Sequence, residues 1–492
     1  MRFCRSLSLL IAALGFCQAA TTDLPGDFTS AGITAVFPGD PAYQTDSQAY
    51  NLRFTVQPAA VTFPNTPQDV STIVKIGATF GYPVVARSGG HSYIANGLGG
   101  TDGAIVIDLR NLKQITVNQD GTATIQPGNR LGDVASALNN NGRALPHGTC
   151  PYVGIGGHAS HGGFGFTSRM WGLTLDTIQS LEVVLANGTC ATLSANQYPD
   201  LFFAMRGAGP SFGVTTSFTV QTFPVPPSAT VFIYTWNMNP TDAANAVSSF
   251  QKFAQTNLPP EFDAEFNFGK GNAQGQVSVR LVGGWYSSPD AFNAVIAPFL
   301  ATVPKPDNVD LTVSSYIDSV TNLGGKGTLS TTAPDNTDTF YVKSLMTPPF
   351  PDAALLAYTN YVANQGFQAN LAWFVQFELY GGTNSKINSV PLDSTAFGHR
   401  NSMWTLQMYA SSPSFQPPYP DSGFTFLDDM ANILLSNSPS NFDYGAYPNY
   451  ADNMLPDWQH LYYASHYDKL VSIKQEYDPT NVFRFPESIG SQ

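Results

Sequence analysis

Residues 146–169 read PHGTCPYVGIGGHASHGGFGFTSR and bring seven glycines, three histidines and one cysteine together in 24 residues. Glycine tolerates positive φ and lets the backbone approach a ligand closely, so this composition favours a loop over a plain helix or strand. Successive free N–H groups in such a loop form a nest for an anion, and a diphosphate suits it. A solvated surface loop is the simpler interpretation, but Cys150, with apolar Val153 and Ile155 nearby, argues against it. We therefore predict a ligand-binding loop.

A second stretch upstream has the same character. Residues 84–86, Val-Val-Ala, are typical of a buried strand, and RSGGHSY, residues 87–93, follows with two glycines and His91. A strand that ends in a glycine turn carrying a histidine is again a place where a ligand can meet the backbone.

Length and composition limit the possible classes of protein. The chain has 492 residues, more than one ordinary hydrophobic core supports, so two domains are expected. Apolar residues make up 43%, while the net charge is −13 and only 12% of residues are charged. This balance argues against nucleic acid and anionic membranes as partners. The sequence contains no GxGxxG motif and no P-loop, so a nicotinamide-type Rossmann domain is not predicted.

The N-terminus has the pattern of a secretory signal peptide over residues 1–20. Two arginines precede the apolar run of residues 7–17, and Gln18-Ala19-Ala20 offers small residues for cleavage. The run is too short to span a bilayer and no later run of 18 apolar residues follows, so we expect a soluble, secreted, extracellular protein. The sequon Asn187-Gly188-Thr189 suits glycosylation in that compartment.

Two cysteines remain after such a cleavage, Cys150 and Cys190. In a secreted chain a disulfide between them is one possibility. The other is a free Cys190, because residues 181–193 have a strand-turn-strand pattern in which a small buried thiol is common.

Periodicity indicates an α+β segment that ends near residue 226, followed by residues 227–445 as one large antiparallel sheet with helices on one face. Predicted strands cover residues 61–65, 84–86, 105–109, 123–127, 178–185, 214–222, 231–236, 276–282, 372–379 and 402–409. Predicted helices cover residues 67–80, 131–141, 199–205, 243–256, 291–300, 352–364, 424–435 and 458–477.

The two glycine stretches together resemble the FAD-binding domain of the vanillyl-alcohol oxidase superfamily, and within it the berberine-bridge-like branch with the fungal gluco- and chitooligosaccharide oxidases. In that family the GGHS histidine and the HGTC cysteine both bond covalently to one flavin, and His91 and Cys150 stand at those positions. The resemblance implies an FAD-binding domain over residues 21–226, a substrate-binding domain over residues 227–445, and a C-terminal return to the FAD-binding domain over residues 446–492.

The same resemblance implies further contacts with the FAD. These residues are Arg87, Ser88, Gly89, Gly90, Ser92, Gly148, Thr149, Val153, Gly154, Gly157, His158, Gly163 and Val214. Val153, third after the flavin cysteine, is implied to lie beside the oxygen-reacting carbon of the flavin, where a small side chain goes with oxygen access. Oxygen is therefore the expected electron acceptor, and a quinone, as a dehydrogenase would use, is the alternative.

The catalytic residues also come from the resemblance. In YPNYAD, residues 447–452, Tyr450 matches the tyrosine that serves as catalytic base. Its helper in the family is an Asp in a Gln-x-Asp strand, and Glu378 stands there, one methylene longer, in the strand that contains Phe374 and Gln376. Spacing alone would make Tyr450 a core tyrosine and Glu378 half of a surface ion pair.

The implied reaction is oxidation of the reducing-end anomeric hydroxyl of an oligosaccharide to a lactone, with oxygen reduced to hydrogen peroxide. The residues implied to contact the sugar are Tyr93, Tyr152, Phe374, Gln376 and Gln407. The tail departs from the family, whose pattern usually has Gly and Asn where Ala464 and His466 stand. Neither the particular oligosaccharide nor the oligomeric state follows from the sequence.

Other motifs in the sequence leave alternative functions open. Gly209-Pro210-Ser211-Phe212-Gly213 matches the GxSxG elbow of serine hydrolases, but a strand-like run follows Ser211 where that mechanism needs a helix. His158 and His161 lack the Glu of a HExxH zinc site, so no metal is predicted and both are expected to bond to the cofactor or the backbone. A secondary-metabolite oxidase, or a sugar-binding protein without turnover, is a further alternative.

Overall fold

The computed structural model describes residues 23–490, so the signal peptide predicted over residues 1–20 lies outside the described residues. The α-helices are Leu24–Ser30, Tyr43–Asp46, Pro67–Phe80, Leu131–Asn139, Ile155–His161, Ser168–Trp171, Pro199–Ala208, Pro240–Ala254, Pro289–Leu300, Tyr316–Leu323, Asp352–Gln368, Lys386–Ser389, Asp421–Ser436, Trp458–Tyr463 and Tyr467–Tyr477. Within the described residues, no helix is both long and apolar enough to span a membrane.

Two small sheets form the first part of the chain. The first has the strand order Ala35–Val36, Ala60–Thr62, Ile105–Asp108 and Val84–Arg87, with the last three strands parallel. The second is antiparallel, in the order Ile115–Val117, Thr122–Ile125, Val214–Gln221, Ile178–Val184 and Cys190–Ser194. A further pair joins Arg143–Ala144 to Phe223–Pro224.

One antiparallel sheet of seven strands forms the second part. Its order is Asn308–Ser314, Ala229–Met238, Val277–Trp285, Phe262–Lys270, Ala372–Leu379, Trp404–Ser411 and Phe340–Thr347. Alternate side chains pack against four long helices, from which Phe250, Phe292, Tyr358 and Leu427 enter the same apolar core. The remaining side chains project from the opposite face, as the period of two requires.

The C-terminal tail packs back onto the first part. Tyr447, Tyr462, Leu470 and Ile489 share an apolar cluster with residues of the five-stranded sheet. The buried amine of Lys474 donates to Asp478 at 2.6 Å and to two carbonyl oxygens, so its charge is paired and its three donors are used.

The glycine-rich stretch ends in a residue that joins the two parts. Arg169 is fully buried, and its guanidinium donates to the carbonyl oxygens of Gly381 at 3.0 Å, Pro259 at 3.1 Å and Thr383 at 2.9 Å, with a further bond to Phe262. These carbonyls belong to the second part of the chain, so Arg169 holds the glycine stretch against the large sheet.

Several predicted elements differ from the structure. The glycine-rich stretch contains the helix Ile155–His161, because buried Ile155 and Ala159 pack into the core and tertiary burial overrides the weak propensity of glycine. Three strands of the large sheet were missed, Phe262–Lys270, Asn308–Ser314 and Phe340–Thr347, as were the short strands Ala35–Val36, Ile115–Val117, Arg143–Ala144 and Phe223–Pro224. The helix predicted over residues 458–477 is interrupted at Ala464–His466.

The expectation of a buried Cys190 thiol is wrong, because Cys190 opens its strand on the exposed side. Cys150 is partly buried, and neither cysteine forms a disulfide within residues 23–490.

The interruption of the tail helix yields a stability prediction. Ala464 has φ 49° and ψ −129°, a conformation that glycine adopts readily and alanine does not. Backbone strain of this kind costs on the order of 1–3 kcal/mol, so Ala464→Gly should raise the free energy of unfolding. Ala301→Gly is the matched control, because Ala301 is exposed with φ −69° and gains nothing from glycine. Denaturant unfolding that shows both variants equally destabilised would contradict this account of Ala464.

Candidate active site

A cleft of about 1320 Å³, including its open mouth, lies where both glycine loops meet the tail. Val85, Ala86 and Leu109 supply part of an apolar wall, while Arg87 places a buried cation beside it. The residues predicted to bind the cofactor that line this cleft are Arg87, Ser88, Gly89, Gly90, His91, Ser92, Val153, Gly154, Gly157 and His158, and the predicted substrate and catalytic residues Tyr93 and Tyr450 line it too.

The two glycine loops touch each other at the cleft, and only glycine allows it. A Cβ added to Gly89 would strike the backbone nitrogen of Gly154, and a Cβ added to Gly154 would strike that of Gly89. Ser88 fixes the contact, because its hydroxyl accepts from the Gly156 N–H at 3.2 Å. Gly157 faces open space, so the backbone there is free to approach a ligand.

His91 and Cys150 come together at one corner of this site, although 59 positions separate them in the sequence. Burial raises the pKa of the Cys150 thiol, but its hydrogen bond to His91 and the neighbouring charge outweigh burial and lower that pKa overall. Burial lowers the pKa of His91, but the hydrogen bonds to Asp335 and Cys150 outweigh it and raise the pKa overall. A lowered thiol pKa favours the thiolate, which is the nucleophilic form of cysteine.

Two residues that sequence reasoning missed support His91. The ring of Tyr50 stacks on the imidazole with 3.7 Å between ring centroids. Asp335 lies 3.0 Å from the His91 Nε2, and Lys326 binds its other carboxylate oxygen at 3.3 Å. Neither residue lies in a motif that would identify it from the sequence. Asp335 stands 244 positions after His91, in an irregular segment.

Tyr450 and Glu378 form a short hydrogen bond at the site. The hydroxyl of Tyr450, on a short 3₁₀ turn of the tail, donates to Oε1 of Glu378 at 2.6 Å. Burial, and secondly the charge of Glu378, raises the pKa of Tyr450 well above its ordinary value. Burial, and secondly the charge of Glu265, raises the pKa of Glu378. The pair can therefore hold or pass a proton, whereas a standing tyrosinate is disfavoured.

The large sheet supplies a polar face around this pair. Glu378 stands directly opposite Glu265 on one neighbouring strand and opposite Thr405 on the other. Gln376 donates to Oε1 of Glu265 at 2.7 Å, and Gln407 donates to the Tyr93 hydroxyl at 2.8 Å. The substrate-binding predictions Gln376 and Gln407 thus lie on the sheet face that carries Glu378.

Aromatic rings form one side of the same region. Tyr93 stacks parallel to Tyr450 with 6.1 Å between centroids, and Phe374 stacks on Tyr409 at 5.0 Å. Phe374 is 37% exposed, so its ring is accessible from solvent. Exposed aromatic faces next to amide side chains suit a ligand that has both apolar faces and hydroxyl groups.

Other predicted site residues lie outside the cleft. The Gly148 N–H donates to His158 at 3.1 Å, and the Gly163 N–H donates to the Tyr447 hydroxyl at 2.9 Å. Val214 is buried in an apolar cluster. The buried ring of Tyr152 lies near the Arg130 guanidinium and the Lys326 amine. The carbonyl oxygen of Thr149 lies close to Gly324.

The motif residues that suggested other functions have structural partners. The Ser211 hydroxyl is buried and accepts from the Ile489 N–H at 3.0 Å, and the strand Val214–Gln221 follows it. The hydrolase geometry of strand, elbow and helix is therefore not met. His158 accepts from Gly148 and His161 contacts the Gly157 carbonyl at 3.1 Å, so both histidines are engaged with the backbone.

The chain is similar along most of its length to proteins of known sequence and structure. The family model described as FAD binding domain matches residues 58–194, and that described as berberine and berberine like matches residues 446–490. The xylooligosaccharide oxidase of Thermothelomyces thermophilus is 36% identical over 91% of this chain and 90% of its own length. A solved chitooligosaccharide oxidase has a TM-score of 0.90 at 34% identity, covering 95% of this chain and 99% of its own.

A solved glucooligosaccharide oxidase from Acremonium strictum, described with a 6-S-cysteinyl, 8α-N1-histidyl FAD, has a TM-score of 0.88 at 30% identity. It covers 94% of this chain and 98% of its own.

The buried Glu378 yields a pH prediction. Because folding raises its pKa, the stability that Glu378 contributes is complete at low pH and is lost as the pH rises through the folded-state pKa. Glu378→Gln cannot ionise and keeps an acceptor for Tyr450, so its melting temperature relative to wild type should increase between about pH 5 and pH 9. Glu182→Gln, at an exposed strand position, is the matched control. A Glu378→Gln difference that stays constant or falls with pH would contradict a raised pKa.

Proposed function

Because the chain belongs to the berberine-like family of FAD-dependent carbohydrate oxidoreductases, we propose that it oxidises the reducing-end anomeric hydroxyl of an oligosaccharide to a lactone. The observation that carries the proposal is the buried Tyr450–Glu378 pair, whose tyrosine lines the same cleft as the two glycine loops. The aromatic wall and the amides of Gln376 and Gln407 support a sugar as the substrate class.

The residues present fit an FAD. The cleft has an apolar wall for a flat ring system and glycine backbone open to a ligand at Gly157, and Arg87 lines it while paired with Asp108 at 3.7 Å. His91 and Cys150 are neighbours with nucleophilic atoms, which supports a flavin held by two covalent bonds. When bound, the flavin supplies the hydride acceptor.

The Tyr450–Glu378 pair supplies the proton chemistry. Burial keeps Tyr450 protonated, so its oxygen accepts the hydroxyl proton of the substrate only as its own proton passes to Oε1 of Glu378, 2.6 Å away. The raised pKa of Glu378 makes its ionised form the stronger base. The pair thus removes a proton from a hydroxyl without a standing tyrosinate.

Oxygen is the proposed electron acceptor, with hydrogen peroxide as the product. Val153 lines the cleft three residues after Cys150 and leaves more room than a larger aliphatic side chain would. A quinone in place of oxygen would make the protein a dehydrogenase. Secretion is part of the proposal and is supported by the pattern of residues 1–20 and by the exposed Asn187 of the sequon.

The covalent attachment can be tested by acid precipitation. The wild type should keep its yellow colour in the precipitate, because two bonds hold the flavin. Cys150→Ala and His91→Ala should each keep colour through the remaining bond, and the double variant should release its flavin. Free FAD in the supernatant of the acid-treated wild type would contradict bicovalent attachment.

The proton relay can be tested by replacing its first member. Tyr450→Phe keeps the ring and removes the acceptor oxygen, so anaerobic flavin reduction by sugar should slow by about 10²–10⁴-fold, the usual contribution of a positioned base. The measurement is stopped-flow absorbance with cello-, chito-, xylo- and malto-oligosaccharides, followed by oxygen or a quinone dye.

Tyr361→Phe, on the helix Asp352–Gln368 that packs against the apolar face of the large sheet, is the matched control. Reduction of Tyr450→Phe at the wild-type rate would place the base elsewhere, and no reduction of the wild type by any of these sugars would contradict the carbohydrate substrate.

A further inference from the structure

The segment that links the helix Tyr316–Leu323 to the strand Phe340–Thr347 reaches from the second part of the chain to the corner that holds His91 and Cys150. The Arg130 guanidinium donates to the Thr331 carbonyl at 3.4 Å, and the Thr331 hydroxyl lies 3.3 Å from Asp133. Arg130 caps the helix Leu131–Asn139 and Asp133 lies in its first turn, so two bonds at Thr331 fasten this strap to the first part of the chain.

The strap delivers one carboxylate to His91. Oδ2 of Asp335 lies 3.0 Å from Nε2, and both side chains are nearly buried, at 12% exposure for His91 and 13% for Asp335. The other oxygen, Oδ1, accepts from the Asn336 N–H at 2.9 Å and from Lys326 at 3.3 Å. These bonds fix the direction in which the carboxylate presents Oδ2.

An ionised carboxylate can only accept hydrogen bonds, so the Nε2 of His91 must carry the proton in this contact. The hydrogen bond made by one ring nitrogen sets the state of the other, and a neutral imidazole protonated at Nε2 has its lone pair on Nδ1. Tyr50, stacked on the ring at 3.7 Å, holds the imidazole plane while Asp335 sets the tautomer. Nδ1 of this neutral ring is therefore the nucleophilic nitrogen, and Cys150→Ala removes the thiol that also hydrogen-bonds the imidazole.

We propose that Asp335 is the positioning residue for covalent flavin attachment at His91: it holds the proton on Nε2, leaves Nδ1 as the nucleophile and receives the Nε2 proton as the bond forms. This inference rests on the proposed bond between His91 and the flavin.

The step balances with oxygen as the oxidant. A bond forms between Nδ1 and the carbon of a ring methyl group of the flavin, and one C–H bond of that methyl group breaks. The imidazole loses one proton, through Asp335, and the methyl group loses one hydrogen. The two electrons pass through the flavin ring system to dioxygen, which takes up both protons and leaves as hydrogen peroxide.

The test uses the Cys150→Ala protein, in which His91 is the one remaining anchor. The readout is the fraction of flavin that precipitates with the protein in acid, followed over time after addition of FAD, while the native absorption spectrum reports total bound flavin. Asp335→Asn keeps the size of the side chain, but its amide can donate to Nε2 and so move the imidazole proton to Nδ1. A comparable Asp→Asn change beside a catalytic histidine keeps the geometry and gives the wrong tautomer.

We expect attachment in Asp335→Asn to slow by about 10²–10⁴-fold, the range for loss of a positioned proton-transfer group. Asp335→Ala cannot donate to Nε2, so its attachment should be slower than in the parent and faster than in Asp335→Asn. Lys326→Met removes one of the two partners of Oδ1 and keeps the Asn336 N–H and the contact with His91, so its attachment should slow far less than that of Asp335→Asn.

These variants distinguish the role of Asp335 from the bond between His91 and the flavin. Attachment at the parent rate in Asp335→Asn, or slower attachment in Asp335→Ala than in Asp335→Asn, overturns the role of Asp335 and leaves the bond to His91 standing. If the Cys150→Ala parent binds FAD and shows no acid-stable flavin, the bond to His91 fails and the role of Asp335 fails with it.

Discussion

The hydrogen bond from the Tyr450 hydroxyl to Glu378 is the interaction on which the proposed chemistry of this protein depends. Its two members come from distant parts of the chain, the C-terminal tail and a central strand of the large sheet. Burial raises the pKa of both, so each favours its neutral form, and the single short bond between them is the path along which a proton can move. An isolated buried carboxylate would be costly, and the tyrosine hydroxyl offsets part of that cost.

The rest of the fold brings this pair to one cleft. Arg169 holds the glycine-rich stretch against the large sheet through bonds to backbone carbonyls, and the tail packs onto the five-stranded sheet through Tyr447 and Leu470. The two glycine loops approach each other where any Cβ at Gly89 or Gly154 would collide. These constraints set the corner that holds His91 and Cys150 beside the wall that holds Tyr450.

The sequence predicted the parts of this site that carry local signals. Both glycine loops and most flanking elements follow from composition and periodicity, whereas the roles of Tyr450 and Glu378 came from the family resemblance. The strand Phe262–Lys270 was missed because one of its faces carries Asp263 and Glu265. Both side chains are buried, and acidic residues in a sequence do not predict a buried strand. Asp335 had no local signal, because only the course of an irregular strap brings it to His91. Ala464 stands where the family pattern usually has glycine. Its backbone still has the positive φ that glycine adopts readily.

The most direct measurement is the rate of anaerobic flavin reduction by a saturating oligosaccharide across pH, recorded together with tyrosinate absorbance. The account predicts that the rate rises through one ionisation above the ordinary range of a glutamate and levels off while the tyrosines remain protonated, because Glu378 is the final proton acceptor. A rate that is flat at low pH and rises only in step with tyrosinate formation would contradict it, because Tyr450 would then act as a preformed anion without Glu378.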